Sequence, residues 1–201
     1  MVVAETFPLG DYQTNCYLVR QAGQTQCVLI DPGYAADFLL DTLNAKELEL
    51  SAIALTHGHF DHVGAVRDLA AETGCRVYLS GDELSLPPAI TAGRLYYTDL
   101  YTDRFTAAGI PFTVLKTPGH TPGSVCLRTG SLLFSGDTLF AGSCGRTDFP
   151  GGSMKQMMAS LSRLAALPGD YRVLPGHMEP STLDRERRYN PYMQMALREQ
   201  G

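Results

Sequence analysis

The 201-residue sequence has no tryptophan, no Cys-x-x-Cys pair and no basic run. Lys and Arg number 16 against 21 Asp and Glu, a net charge of −5, so an electrostatic partnership with a nucleic-acid backbone is not expected. No apolar run approaches the roughly 18 residues of a membrane span, so no membrane partner is expected either. Residues 1–19 lack the basic and apolar stretches of a secretory leader, which places the chain in the cytoplasm. The cysteines (Cys16, Cys27, Cys75, Cys126 and Cys144) are odd in number and widely spaced. Cys16, Cys27 and Cys126 sit in apolar runs, as reduced core thiols do. Histidine is scarce too, with 5 in the whole chain.

What remains is an ordinary globular composition, 44% hydrophobic and 18% charged, with 20 Gly and 12 Pro favouring turns. At roughly 150 residues per domain, residues 1–201 read as one domain. Short apolar or alternating runs bounded by Gly, Pro and Asp predict strands at 2–7, 15–20, 27–30, 52–55, 76–79, 112–115, 124–128, 131–134 and 171–174. Helical periodicity covers 35–48, 62–73 (stopped by Gly74), 153–167 (opened by Ser153) and 182–199, the last broken at Pro191. Strands with turns, then strand–helix alternation, then strands and helices again, indicate two sheets with helices outside. Residues 87–103 predict a long loop whose Tyr96, Tyr97 and Tyr101 either wall a cleft or pack against the domain. Met154, Met157 and Met158 lie at helical spacing and read as packing; Arg185, Arg187 and Arg188 with Asp184 and Glu186 read as a solvated charged face.

The chemistry concentrates in Leu55-Thr-His-Gly-His-Phe-Asp-His62. Here His57, His59, Asp61 and His62 directly follow an apolar strand, and a turning backbone with Gly58 can aim them into one cavity. Imidazole and carboxylate suit zinc and other borderline or hard divalent ions. The remaining histidines each close a Pro-Gly-His turn after an apolar strand, at His120 and His177. One such histidine alone is most simply a hydrogen-bonded turn residue; the repeated context shifts both toward ligands. Asp137, in Phe134-Ser-Gly-Asp137, would alone be read as a helix cap or turn residue, and gains weight only from the others.

These residues resemble the metallo-β-lactamase superfamily, whose signature is HxHxDH followed by distal His, Asp and His. The resemblance runs from the Asp31-Pro-Gly turn through His177. It implies an α/β (α+β) fold, a four-layer αββα sandwich with metals at one rim between the sheets. Carried over by residue, His57, His59 and His120 hold one metal, Asp61, His62 and His177 a second, and Asp137 bridges both. Within the superfamily, the segments Asn15-Cys-Tyr-Leu-Val19, Ser135-Gly-Asp-Thr-Leu-Phe140, 144–152 and Glu186-Arg-Arg-Tyr-Asn-Pro191 are most similar to the short bacterial form of the glyoxalase II-like (hydroxyacylglutathione hydrolase) group. Asp137 in place of a Cys ligand argues against the antibiotic-degrading lactamases. The long glyoxalase II enzymes carry a further helical domain that helps bind glutathione, and this sequence stops soon after its last ligand.

The resemblance implies two divalent metal ions, zinc first with iron or manganese as alternatives, and hydrolysis of a small-molecule thioester such as S-lactoylglutathione. The nucleophile is a hydroxide shared by the metals, which Asp61 helps orient. Arg146 stands where glutathione-specific relatives place a carboxylate-binding lysine, so it is either a substrate clamp or an ion-pair partner of Asp148. Two other functions remain open at this stage. One is an iron-dependent persulfide dioxygenase using His57, His120 and Asp137; the other is a non-catalytic metal-binding module. The oligomeric state is left open.

Overall fold

Tyr17 and Val19 fall in one apolar cluster and Cys16 and Leu18 in another, the two-sided burial of a central strand covered on both faces. A computed structural model describes residues 1–198 of the chain and shows that pattern repeated across two six-stranded sheets. Residue 199, the end of the last expected helix, lies outside the described residues, as do 200 and 201.

The first sheet has the order β1 (Val2–Leu9), β2 (Thr14–Gln21), β3 (Gln26–Ile30), β4 (Glu49–Ala54), β5 (Arg76–Leu79) and β6 (Asp99–Leu100). Pairing is antiparallel through β3 and parallel from β3 to β6. The parallel steps need crossovers, and α1 (Ala36–Ala45), α2 (Phe60–Val63) and α3 (Val66–Thr73) lie in them. The helix expected over 62–73 is thus two pieces, broken at Gly64 and Ala65 and ended by Gly74 in the left-handed region. A 3-10 turn at Gly81–Ser85 and α4 (Pro88–Thr91) follow β5, so the expected loop 87–103 contains a helical turn and the edge strand β6.

The second sheet is built from β7 (Arg104–Ala107), β8 (Ile110–Lys116), β9 (Val125–Thr129), β10 (Leu132–Gly136), β13 (Arg172–Pro175) and β14 (Ser181–Thr182). Its pairing is antiparallel except between β10 and β13. The crossover between those two carries a small hairpin, β11 (Leu139–Phe140) with β12 (Ser143–Cys144), and α5 (Met154–Ala165). Ser153 caps α5, its Oγ accepting the Gln156 N–H at 3.3 Å. Strand β7, Arg104-Phe-Thr-Ala107, was not expected because it carries a single large apolar residue. It turns into β8 through Ala108–Gly109, both at positive φ (51° and 68°), as a two-residue hairpin requires.

Residues alternate between layers along each strand. Tyr17, Ile30, Ala54, Phe112, Leu127, Phe134 and Leu174 fill the space between the sheets. On the outside of the first sheet, Leu29, Ile53 and Val77 meet Leu39 and Leu69 of α1 and α3. On the outside of the second, Cys126, Leu133 and Val173 meet Met157 and Leu161 of α5 and Met193 of α7 (Pro191–Arg198). The molecule is therefore a mixed α/β sandwich of two sheets with helices on both outer faces. Met157 and Met158 pack as expected, while Met154 is exposed. Among the described residues no helix is long and apolar enough to cross a membrane.

The charged run near the end of the chain departs from expectation. Glu186, on α6 (Leu183–Tyr189), is buried and accepts the Gly142 N–H at 2.7 Å and an Asn190 amide N–H at 2.9 Å. Arg187 donates to the carbonyls of Ala165, the last residue of α5, and of Leu167 and Gly169 beyond it, where carbonyls have no helical partner. Local spacing showed charge on a helix; it could not show that the partners lie on the β11–β12 hairpin and the end of α5.

Candidate metal centre

The carboxyl ends of β4, β8, β10 and β13 meet at one rim of the sandwich. Backbone bonds stitch the sheets there: Val125 N–H donates to the Thr56 carbonyl at 2.9 Å and Asn15 N–H to the Gly176 carbonyl at 2.8 Å. Tyr17 Oη–H adds a 2.6 Å bond to the Pro175 carbonyl. Beyond β4 the chain turns through Thr56-His57-Gly58-His59 into α2, which carries Asp61 and His62. His120 follows β8, Asp137 follows β10 and His177 follows β13. The structure brings all of these side chains together.

They form two groups with no shared member, connected by a third made of Asp31, His57 and His62. In the first, His57, His59 and His120 offer ligand atoms within 4.8 Å of one another; in the second, Asp61, His62 and His177 do so. His59 Nδ1 lies 2.8 Å from His120 Nε2. Asp137 reaches both groups: Oδ2 is 3.4 Å from His120 Nε2 and 3.5 Å from His177 Nε2, and Oδ1 is 3.4 Å from His62 Nε2. Gly176 makes this contact possible, since a Cβ there would sit 2.2 Å from Asp137 Oδ1.

Acceptors behind the rings fix their tautomers. His120 Nδ1–H donates to the Arg146 carbonyl at 2.7 Å and His177 Nδ1–H to the Tyr12 carbonyl at 3.2 Å. Asp31 Oδ2 accepts from His62 Nδ1–H at 3.0 Å and from Thr56 Oγ1–H at 2.6 Å. Thr56 Oγ1 in turn accepts from His57 Nδ1–H at 3.1 Å. In each of these rings Nε2 is the nitrogen turned toward the centre. In the sequence Asp31 stands in an Asp31-Pro-Gly turn. Its signal was a carboxylate directly after an apolar strand, and its position beside His57 and His62 emerges only from the β3–β4 pairing.

His57 Nε2, His62 Nε2 and Asp137 Oδ1 are buried without a hydrogen-bond partner, as is His59 Nε2. Buried polar atoms are costly when unpaired. Lone pairs of imidazole and carboxylate converging this way fit divalent cations. Electrostatics divides the groups. Burial, reinforced by neighbouring imidazoles, holds His57 well below the usual histidine range and lowers His59 to about 3. Burial also opposes the charged form of His62, but Asp137, Asp31 and Asp61 outweigh it and raise His62 to about 9. Burial would raise Asp61, yet His177, His62 and the Thr14 hydroxyl (3.0 Å) keep it below the usual carboxylate range.

A cleft of about 350 Å³ opens over this rim. Tyr12, Phe60, Ala89, Ile90 and Phe149 supply apolar wall. The tyrosines of the 87–103 segment do not: Tyr101 is packed between the sheets, and Tyr96 packs against the core outside the first sheet with Arg67 on its ring. The short helix α4 takes the place expected of them. Arg146 lines the cleft, with Nε and Nη2 both donating to Asp148 at 2.7 Å and its guanidinium 3.8 Å from the Phe149 ring centroid.

The chain is 32% identical to hydroxyacylglutathione hydrolase GloC of Haemophilus influenzae, over 94% of this chain and 97% of that protein. Among solved structures it is similar to the B3 metallo-β-lactamase BLEG-1, at 35% identity and a TM-score of 0.87, covering 95% and 99% of the two chains. The di-iron-bound form of TTHA1623 is 40% identical, with a TM-score of 0.82 and 94% and 99% covered. The sequence pattern of the metallo-β-lactamase superfamily matches residues 9–177, which span every side chain of the rim described above. With that match, and with two sheets closing over a His/Asp cluster, the chain belongs to the metallo-β-lactamase superfamily.

Proposed function

We propose that the chain is a metal-dependent thioester hydrolase of glyoxalase II type, acting as one domain in the cytoplasm on a small acyl thioester such as S-lactoylglutathione. His57, His59 and His120 would hold one ion and Asp61, His62 and His177 the other, with Asp137 shared between them; the ions would be zinc. The observation that carries this reading is the reach of Asp137 into both groups, beside orphaned imidazole nitrogens. Supporting the choice of reaction is the likeness to GloC across nearly the whole chain.

Such a pair of divalent ions supplies a water-derived nucleophile at neutral pH and Lewis acidity toward a carbonyl. The chain's own groups do the rest. Asp31 and Thr56 fix the imidazoles of His62 and His57, so the cage is pre-set rather than assembled on binding. Asp61 is anchored by Thr14 and presents a carboxylate to orient the attacking water. Phe60, Phe149 and Ile90 exclude bulk water beside the reacting carbon. With Nε and Nη2 of Arg146 engaged by Asp148, its Nη1 is left to meet a substrate oxygen. A thiolate leaves readily, so no strong acid is needed on the leaving-group side. The thiols match a reducing compartment: all the cysteines are free and only Cys144 is not buried.

The test is metal analysis of protein purified without added metal, together with thiol release from S-lactoylglutathione. Two zinc ions per chain and thiol release are expected. Turnover of a β-lactam in place of the thioester, or one iron per chain with oxygen uptake on glutathione persulfide, would replace this reading with another enzyme of the same fold. Absence of bound metal would leave a non-catalytic module.

A further inference from the structure

Glu83 sits in the 3-10 turn after β5, fully buried, on an element that contributes no side chain to the rim. Its carboxylate spans two loops. Oε2 accepts the Gly58 N–H at 2.5 Å, between His57 and His59. Oε1 accepts the Gly123 N–H and the Thr121 Oγ1–H, both at 2.7 Å, just past His120. Thr121 Oγ1 is itself 2.6 Å from Ser124 Oγ, which also accepts the Thr121 N–H at 3.1 Å. The fit is tight, because a Cβ on Gly123 would lie 2.6 Å from Glu83 Oε1.

Every group that meets this carboxylate is a donor, and the donors come from the turns of different sheets. Gly58 follows β4 of the first sheet; Thr121 and Gly123 follow β8 of the second. We infer that Glu83 is a positioning residue that clamps the His57–His59 turn to the His120 turn, and so sets the bite of the first ion-binding group alone. Asp61, His62 and His177 hang from other supports, namely Thr14, Asp31 and the Tyr12 carbonyl. A glutamine at 83 keeps the shape but turns an amide N–H₂ against backbone N–H donors on one side, which forces the two turns apart. This inference rests on the two-ion reading above, and its test separates the two.

The experiment titrates zinc into Glu83→Gln and Thr121→Val against a chromophoric chelator, and follows the melting of the ion-free proteins. Glu83→Gln is expected to weaken one of the two ions by about 10- to 100-fold, the usual cost of losing a support behind a ligand, and to leave the other within about threefold. Thr121→Val, which removes only the hydroxyl contact, is expected to weaken the same ion by a smaller factor. In a His57→Ala background, Glu83→Gln is expected to add nothing to the loss, because both changes act on one group. If Glu83→Gln does not fold, Thr121→Val decides alone. Unchanged affinity for both ions, or equal weakening of both with a lower ion-free melting temperature, overturns the inference while leaving the proposed function intact. A wild-type chain that binds no zinc overturns both.

Discussion

The two groups of side chains at the rim differ in composition and in what they do with protons. The first is imidazole only, and its members repel charge from one another: His57 and His59 are held neutral by burial and by their neighbours. Carboxylates crowd the second, and they pull His62 to about 9. A cation meeting His57 and His59 displaces no proton from them at neutral pH, whereas one meeting His62 displaces the proton that its neighbouring carboxylates hold there. Adjacent sites on one rim are thus prepared in opposite ways, one by withholding charge and one by oversupplying the opposite sign.

The sharpest break in that contrast is Asp137→Ala, since Asp137 is the residue that reaches both groups. Loss of both ions and a fall in thioester turnover of more than about 100-fold are expected, beyond the usual cost of losing a support. His57→Ala, by comparison, should remove one ion while metal content and turnover fall together; turnover retained with one ion gone would contradict the shared assignment. Next comes Asp31→Asn. Asparagine keeps one acceptor oxygen but sets an amide N–H₂ toward Thr56 or His62, so an affinity loss of about 10- to 100-fold is expected, with the Asp61–His62–His177 group failing first in chelator competition.

The pH dependence of the ion-free protein sharpens the contrast further. His59 is lowered to about 3 in the fold, so between pH 6.5 and about 3 the unfolded chain binds the extra proton and stability falls as pH falls. His62 is raised to about 9, so its contribution is complete below pH 6.5 and is lost as pH rises through about 9. The ion-free melting temperature is therefore expected to peak near pH 6.5 and decline on both sides. His59→Gln should flatten the acid limb, and a profile unchanged by that substitution would show that the acid limb arises elsewhere. Smallest is Arg146→Ala, expected to raise KM for an anionic thioester about fivefold, the scale of one hydrogen bond, with kcat unchanged. An unchanged KM would reduce Arg146 to a partner of Asp148.

How much of this was legible in the sequence depends on where the partners of each residue lie. His57, His59, Asp61 and His62 share one turn, so their spacing alone announced them. His120, Asp137 and His177 were legible through repeated strand-end contexts, because a sheet aligns the ends of neighbouring strands. The layers followed from alternation along strands such as 27–30, where both faces are apolar. Asp31, Glu83 and Glu186 were not legible as working residues, since each is defined by backbone N–H groups or side chains far along the chain. For Tyr101 the polar stretch around it left cleft wall and domain packing equally open, and only the fold shows it packed, its hydroxyl donating to the Leu55 carbonyl at 3.1 Å beneath the site.

The side chains that wall the cleft are not the groups that brace the cage below them. Ala89 and Ile90 belong to α4, and Phe149 to the turn after β12, while the imidazoles are braced from beneath by Asp31, Thr56 and the Tyr12 and Arg146 carbonyls. Exchanging a wall side chain therefore leaves the bracing hydrogen bonds untouched. What such a cleft admits can drift during evolution, or be redirected in the laboratory, by resurfacing a helical turn and one aromatic, without disturbing the His/Asp cage beneath.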